Sequence, residues 1–339
     1  MEYKKFVPAG GQALIEGVMM KCGQSKAVAI RKPNGEIAVK RQKSGGQLAK
    51  GGFRSLPFVR GVFTLIDSMI EGGKDMTYSA EVYSEGIEEE KGKFELWLEK
   101  IFGDKLDKII TAFTMLLAVC IAVGLFIILP TFFAKGTETT KTSVIAFKEG
   151  ALKMGIFILY LLAMSQMKDI KRVFQYHGAE HKSIFAYEKG LPLTVENVKK
   201  MPRLHPRCGT NFMFVVIMIS IIIFTFVDVR NIWLRSLIKL LAFPLVSGIS
   251  YEAIRLAGKY QNKFTRILIM PGLLMQYITT KEPDDDQIEV AIASLKAVLE
   301  DENIIDKPEP VVQIAEKVEE TAFGRDQEEG HQLDKAANE

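Results

Sequence analysis

Three of the four histidines in this 339-residue chain, His177, His181 and His205, lie within one short region, and the first two frame the block "HGAEH". On an α-helix, positions 177 and 181 are roughly 40° apart in projection and position 180 lies roughly 60° from 177, so both imidazoles and Glu180 share a face. Two imidazoles one turn apart can hold a divalent ion, zinc above all, while the carboxylate beside them takes a proton from water. The order H-x-x-E-H is also that of the inverted zincins. A catalytic zinc needs a third protein ligand and an open position. "LHPRCGTNF" offers His205 and Cys208, and "SGISYEAI" offers Glu252, a glutamate from a separate helix. Arg207 and Lys182 are cations that could stabilise an oxyanion or phosphate in a transition state. The bland reading is that these side chains bond lipid phosphates, backbone carbonyls or one another.

The elements that must position these residues include several apolar segments. The stretch 109–134 carries no charge between Ile109 and Ala134 and is long enough to cross a bilayer. Segment 150–167 is shorter and includes Lys153, which could snorkel. Segment 212–229 is strongly apolar, and 233–254 follows with Arg235 and Lys239 inside it, the weakest of the set. About four crossings are expected within a transmembrane region 109–260. The intervening segment 168–211 holds Lys168, Lys171, Arg172, Lys182, Lys189, Lys199, Lys200, Arg203 and Arg207, whereas 135–142 and 229–232 are poor in basic residues. The positive-inside rule then puts the His-rich loop 168–211 and both termini in the cytoplasm. A basic N-terminus with no apolar run behind it predicts no secretory signal.

The fold class expected is mainly α: a polytopic helical membrane protein with a small cytosolic β-hairpin region at residues 1–55. "AVAIRKPNGEIAVKRQ" alternates apolar and polar residues on both sides of Asn34-Gly35, which predicts a hairpin with a tight primed turn. Residues 56–108 read as amphipathic and cytosolic helices, the first ended by Gly72-Gly73, and 81–109 as a charged helical approach to the membrane. Residues 261–302 read as an interfacial helix broken at Pro271-Gly272, then a capped helix with Ile288, Ala291, Ile292, Leu295 and Leu299 on one face. Residues 303–339 read as a disordered charged tail, so His331 is no candidate.

Other polar groups carry less chemistry. Glu16, in an apolar glycine-rich stretch, is expected to pair with a basic residue such as Arg60 or else to join the site. Cys22 reads as a buried thiol, and Glu282 as a weak site candidate near a helix cap. With 44 basic against 41 acidic residues and a net charge of +3, charge implies no nucleic-acid partner. Three scattered cysteines argue against a disulfide framework. Walker, dinucleotide, G-x-S-x-G and C-x-x-C patterns are absent.

Taken together, "GGQALIEGVMMK", "YHGAEHKSIFAYE", "LTVENV", "HPRCGTNF", "SGISYE" and "PGLLMQYITTKEPDDDQIEVAIASL" resemble the bacterial YqhQ-like membrane protein family of unknown function, in order, from about residue 6 to 300. The resemblance implies a multi-pass protein of the bacterial inner membrane, in a family whose members are labelled predicted metal-dependent enzymes, and it covers Glu16, His177, Glu180, His181, Arg207, Cys208, Glu252 and Gln276. It implies no particular reaction.

Two functions follow as expectations. One is an integral membrane metalloprotein with a divalent ion, zinc by its ligands, in its enzymatic form a hydrolase of a lipid headgroup or membrane peptide. The other is a non-catalytic assembly factor or scaffold for a membrane-protein partner, its His/Glu/Cys cluster a structural clip. Membrane lipids are expected partners in either case, and the sequence specifies no oligomeric state. A transporter would need ionisable groups within the crossings, and only Arg235, Lys239 and Lys153 suggest themselves.

Overall fold

The computed structural model describes residues 3–43, 52–85, 106–135, 141–259 and 263–306. Four strands, β1 (Ala9–Leu14), β2 (Gly17–Cys22), β3 (Ser25–Arg31) and β4 (Ile37–Lys43), form an antiparallel meander in sequence order. The expected hairpin is β3–β4, and two further strands precede it. Its turn is not a primed one. Gly35 N–H donates to Lys32 O at 2.9 Å, and Gly35 has φ +87° while Asn34 keeps a negative φ. Pro33 explains this: its ring fixes φ near −65° and selects a type I turn, leaving only the following glycine in the left-handed region.

The meander is buried on both faces. Val18, Met20 and Cys22 of β2 and Ala27 and Ala29 of β3 face one way, and Leu14, Val28 and Ile30 face the other, as the two-residue period of a strand requires. Helix α1 (Val59–Ser84) covers the second face through Met76, Tyr78 and Val82. It does not stop at Gly72-Gly73: two helical glycines cost roughly 1 kcal/mol each, and packing on the sheet outweighs that.

The apolar helices come next. Helix α2 (Leu106–Val123) continues through a π turn (Gly124–Ile128) into Leu129–Phe133. Helices α3 (Thr142–Met164), α4 (Lys168–Glu188) and the short α5 (Val195–Lys199) follow. Then come α6 (Thr210–Thr225), α7 (Ile232–Lys259), α8 (Lys263–Thr279) and α9 (Asp285–Asp301). Among the described residues, Ala112–Phe133 and Ile232–Leu256 are long and apolar enough to cross a membrane, and Asn211–Thr225 is apolar but shorter. Helix α8 runs through Pro271 without a break, held by its contact with α6.

Arg235 and Lys239 have a partner that the sequence reading did not name. Glu149 of α3 accepts from Arg235 Nε at 2.9 Å and pairs with Lys239 Nζ at 2.8 Å, all three buried. Pairing is what makes charges tolerable at such a position.

Helices α4 and α9 close the first face of the sheet. Asp284 and Gln287 form a capping box that starts α9, and Ile288, Ala291, Ile292, Leu295 and Leu299 are buried as the spacing predicts. Ile304 and Ile305 are buried in the same core, so the ordered chain passes the expected boundary at 303. The charged segment 86–105 and the tail 307–339 lie outside the described residues.

Sheet and α4 are joined at Glu16, which occupies the two-residue turn between β1 and β2 at φ +49°. That conformation costs a non-glycine residue about 1 kcal/mol. Its carboxylate receives the guanidinium of Arg172 side-on and the Tyr176 hydroxyl at 3.1 Å, both from α4. The partner is thus Arg172 and not Arg60, because α4, not α1, lies across this turn. Glu16→Gly should relieve the backbone strain yet lower stability by about 1–3 kcal/mol, since Tyr176 is left buried without its acceptor. Thermal unfolding of the detergent-purified variant against wild type checks the sign.

Candidate metal centre

Helix α4 carries two loads on two faces. Tyr176, Ala179 and Ile184 enter the core with the sheet and α9, while His177, Glu180 and His181 line a cavity of about 400 Å³. Its other walls are β1 from Ala9 to Ala13 and the 205–209 loop with His205, Arg207 and Cys208. Two glycines permit this assembly. A Cβ on Gly178 would stand 2.1 Å from Lys281 O, so the glycine lets the turn after α8 press onto α4. A Cβ on Gly11 would stand 2.8 Å from Glu180 Cγ and 2.6 Å from Met19 O, so only glycine lets β1 approach the carboxylate.

Both α4 imidazoles are oriented by the backbone. His177 Nδ1 lies 2.9 Å from Thr279 O, and His181 Nδ1 bonds Arg203 O. A carbonyl only accepts, so Nδ1 carries the proton in each ring and Nε2 presents a lone pair to the cavity. His177 Nε2 is 3.2 Å from Cys208 Sγ, and the ligand atoms of His177, His181 and Cys208 all lie within 4.8 Å of one another. In a tetrahedral zinc shell the donor atoms stand about 3.3–3.8 Å apart, so the trio needs only a small contraction to hold such an ion.

Glu180 is 4% exposed, and its Oε2 lies 3.5 Å from His181 Nε2 and 4.0 Å from His177 Nε2. Burial pushes its pKa up to about 7, against the pull of His177 and of the Gly11 backbone beside it. It is therefore poised to exchange a proton near neutral pH.

His205 stands behind this group. Its ring centroid is 5.5 Å from that of His181, and its Nδ1 accepts the Arg207 N–H at 3.3 Å. Burial, with His181 and Arg207 nearby, drives its pKa down to about 3. Gln276 of α8 pins the loop by accepting the His205 N–H at 2.7 Å and donating to its carbonyl at 2.8 Å. Arg207 at the cavity wall bonds Glu188, whose pKa is raised by burial and pulled back by Arg207.

Two expected members lie elsewhere. Lys182 points away from the cavity, where its ammonium bonds Lys199 O at 3.0 Å and Glu282. One position past His181, it is rotated about 100° off the histidine face. Glu252 is forked by Arg60, with Nε to Oε1 at 2.6 Å, and accepts the Phe58 N–H at 3.4 Å. Helix α7 packs there on α1 instead of α4. Glu282 serves Lys182, and Cys22 is a buried thiol whose pKa is raised to about 11 by burial first. Glu188 and Gly11 were missing from the expected set. Glu188 was legible in principle, seven residues past His181 on the same helix face.

The family model for DUF1385, a protein of unknown function, matches residues 56–301, which include α4, the 205–209 loop and Gln276. The chain belongs to the DUF1385 family. It is also 34% identical over 313 residues to "Uncharacterized protein YqhQ" of Bacillus subtilis (strain 168), covering 88% of this chain and 95% of that protein. No solved structure matches. The DUF1385 match thus spans every α4 cavity residue, while β1 lies outside residues 56–301.

Gln276→Ala should free the His205 loop and leave both its backbone groups unpaired. Melting in detergent is expected to show a loss of about 1–3 kcal/mol, and wild-type stability would mean the loop is held by other contacts.

Proposed function

We propose that this DUF1385 protein is a multi-pass protein of the bacterial inner membrane that holds a divalent ion, zinc by its donor set, at the cytoplasmic interface, and hydrolyses a polar bond presented there. The supporting observation is the pair of carbonyl-oriented imidazoles whose free nitrogens converge with Cys208. Two nitrogens and one sulfur are a borderline-soft set that suits zinc better than magnesium or calcium. Four crossings remain the reading of 109–134, 150–167, 212–229 and 233–254, oriented by the basic residues of 168–211.

A divalent ion bound there would acidify a water and polarise a scissile carbonyl or phosphoryl oxygen. Glu180, at 3.5 and 4.0 Å from the two ligand nitrogens, accepts the proton of the attacking water and returns it to the leaving group. Arg207, on the cavity wall and half exposed, can leave Glu188 to face developing negative charge.

Elemental analysis of protein purified without chelator should find a single zinc per chain, lost in His177→Ala and in Cys208→Ala. Glu180→Gln should keep the metal, because the amide remains near the cavity but cannot take a proton, and should lose function in cells. Zinc-free wild type would end the reading. Zinc needed for thermal stability together with a functional Glu180→Gln would favour the structural clip in an assembly factor or scaffold.

A further inference from the structure

Strand β1 lies at the edge of the sheet and also forms a wall of the cavity with His177, Glu180 and His181. The Ile15-Glu16 turn closes on the pair Leu14↔Gly17, so Leu14, Gln12 and Gly10 direct their backbone groups onto β2. The alternate residues Ala9, Gly11 and Ala13 direct theirs outward. Neither Ala9 nor Ala13 makes an outward backbone hydrogen bond among the described residues. Gly10 and Gly11 are exposed, and their lack of side chains leaves the edge bare. A row of unpaired donors and acceptors at two-residue spacing is a template for another strand.

We propose that β1 binds an extended peptide segment by strand addition and carries its backbone across the α4 cavity. This rests on the hydrolase reading above and names its substrate class. A lipid headgroup has no backbone groups repeating along a strand, whereas a peptide matches Ala9, Gly11 and Ala13 over about 13 Å. The gap at Gly11 fits the same picture. Gly11 lies against Glu180, so an incoming strand pairs with Ala9 and Ala13 and with the Gly11 carbonyl. The peptide bond that passes Gly11 then lies beside Glu180 and the gathered imidazoles. Main-chain pairing supplies affinity with little side-chain selectivity, so the substrate is recognised by being extended.

The test uses full-length, zinc-loaded protein in detergent and four defined probes: acetohydroxamate, an alternating Val-Thr hexapeptide hydroxamate, the same hexapeptide as its plain amide, and glycerophosphate. The hexapeptide hydroxamate should bind at least about tenfold tighter than acetohydroxamate, a gain worth two or three ladder hydrogen bonds. N-methylation along the peptide should abolish most of that gain at alternate positions and leave the intervening ones unaffected. Ala13→Pro, and independently Ala9→Pro, should remove the gain while acetohydroxamate still binds, because edge strands accept proline where the N–H faces outward. The peptide amide should show the same two-residue period. If acetohydroxamate fails to bind but the amide keeps its period, the metal reading falls and strand addition stands. Affinity independent of peptide length, a gain without the two-residue period, or glycerophosphate competing where the peptide does not would overturn strand addition.

Discussion

The Glu16 carboxylate and the Arg172 guanidinium meet at the corner where the sheet crosses α4, with Tyr176 as a third partner. That contact holds a turn in a left-handed conformation which a glutamate adopts only at a cost. By fixing the β1–β2 turn against α4, it sets where β1 runs along the helix. Gly11 then falls against Glu180. Remove the corner and the buried carboxylate loses its wall.

Around that corner the architecture brings four separate parts of the chain to one cavity. Helix α4 supplies two imidazoles and a carboxylate, and the loop before α6 supplies Cys208, Arg207 and His205. The end of α8 supplies the carbonyl that orients His177 and the amide that pins His205. Strand β1 supplies backbone. The apolar helices α2 and α7 add no side chain to this cavity, and Glu149 pairs with Arg235 and Lys239 well away from it.

Much of this was legible before any coordinates. The helical spacing of "HGAEH" placed three side chains on one face, and the heptad-like run from Ile288 to Leu299 marked the buried side of α9. The β3–β4 hairpin was visible in its alternation, although Pro33 overrode the Asn-Gly preference in its turn. Strands β1 and β2 were not visible, because a glycine-rich, evenly apolar stretch carries no period. Glu252 was assigned to the cavity because α7 returns to the same side of the expected membrane. Sequence order does not say which neighbour a returning helix packs on, and Gly248 and Gly61 bring α7 onto α1. Lys182 was expected as a cation for the transition state, but the position after His181 on a helix points elsewhere.

The central claim is that His177, His181 and Cys208 bind one zinc ion together. X-ray absorption at the zinc edge of the purified, full-length protein tests it without any knowledge of substrate. The spectrum should show one sulfur scatterer at ~2.3 Å and two imidazole nitrogens at ~2.0 Å, with the sulfur shell lost in Cys208→Ser. A zinc shell of oxygen and nitrogen alone, or a sulfur shell that survives Cys208→Ser, would contradict it.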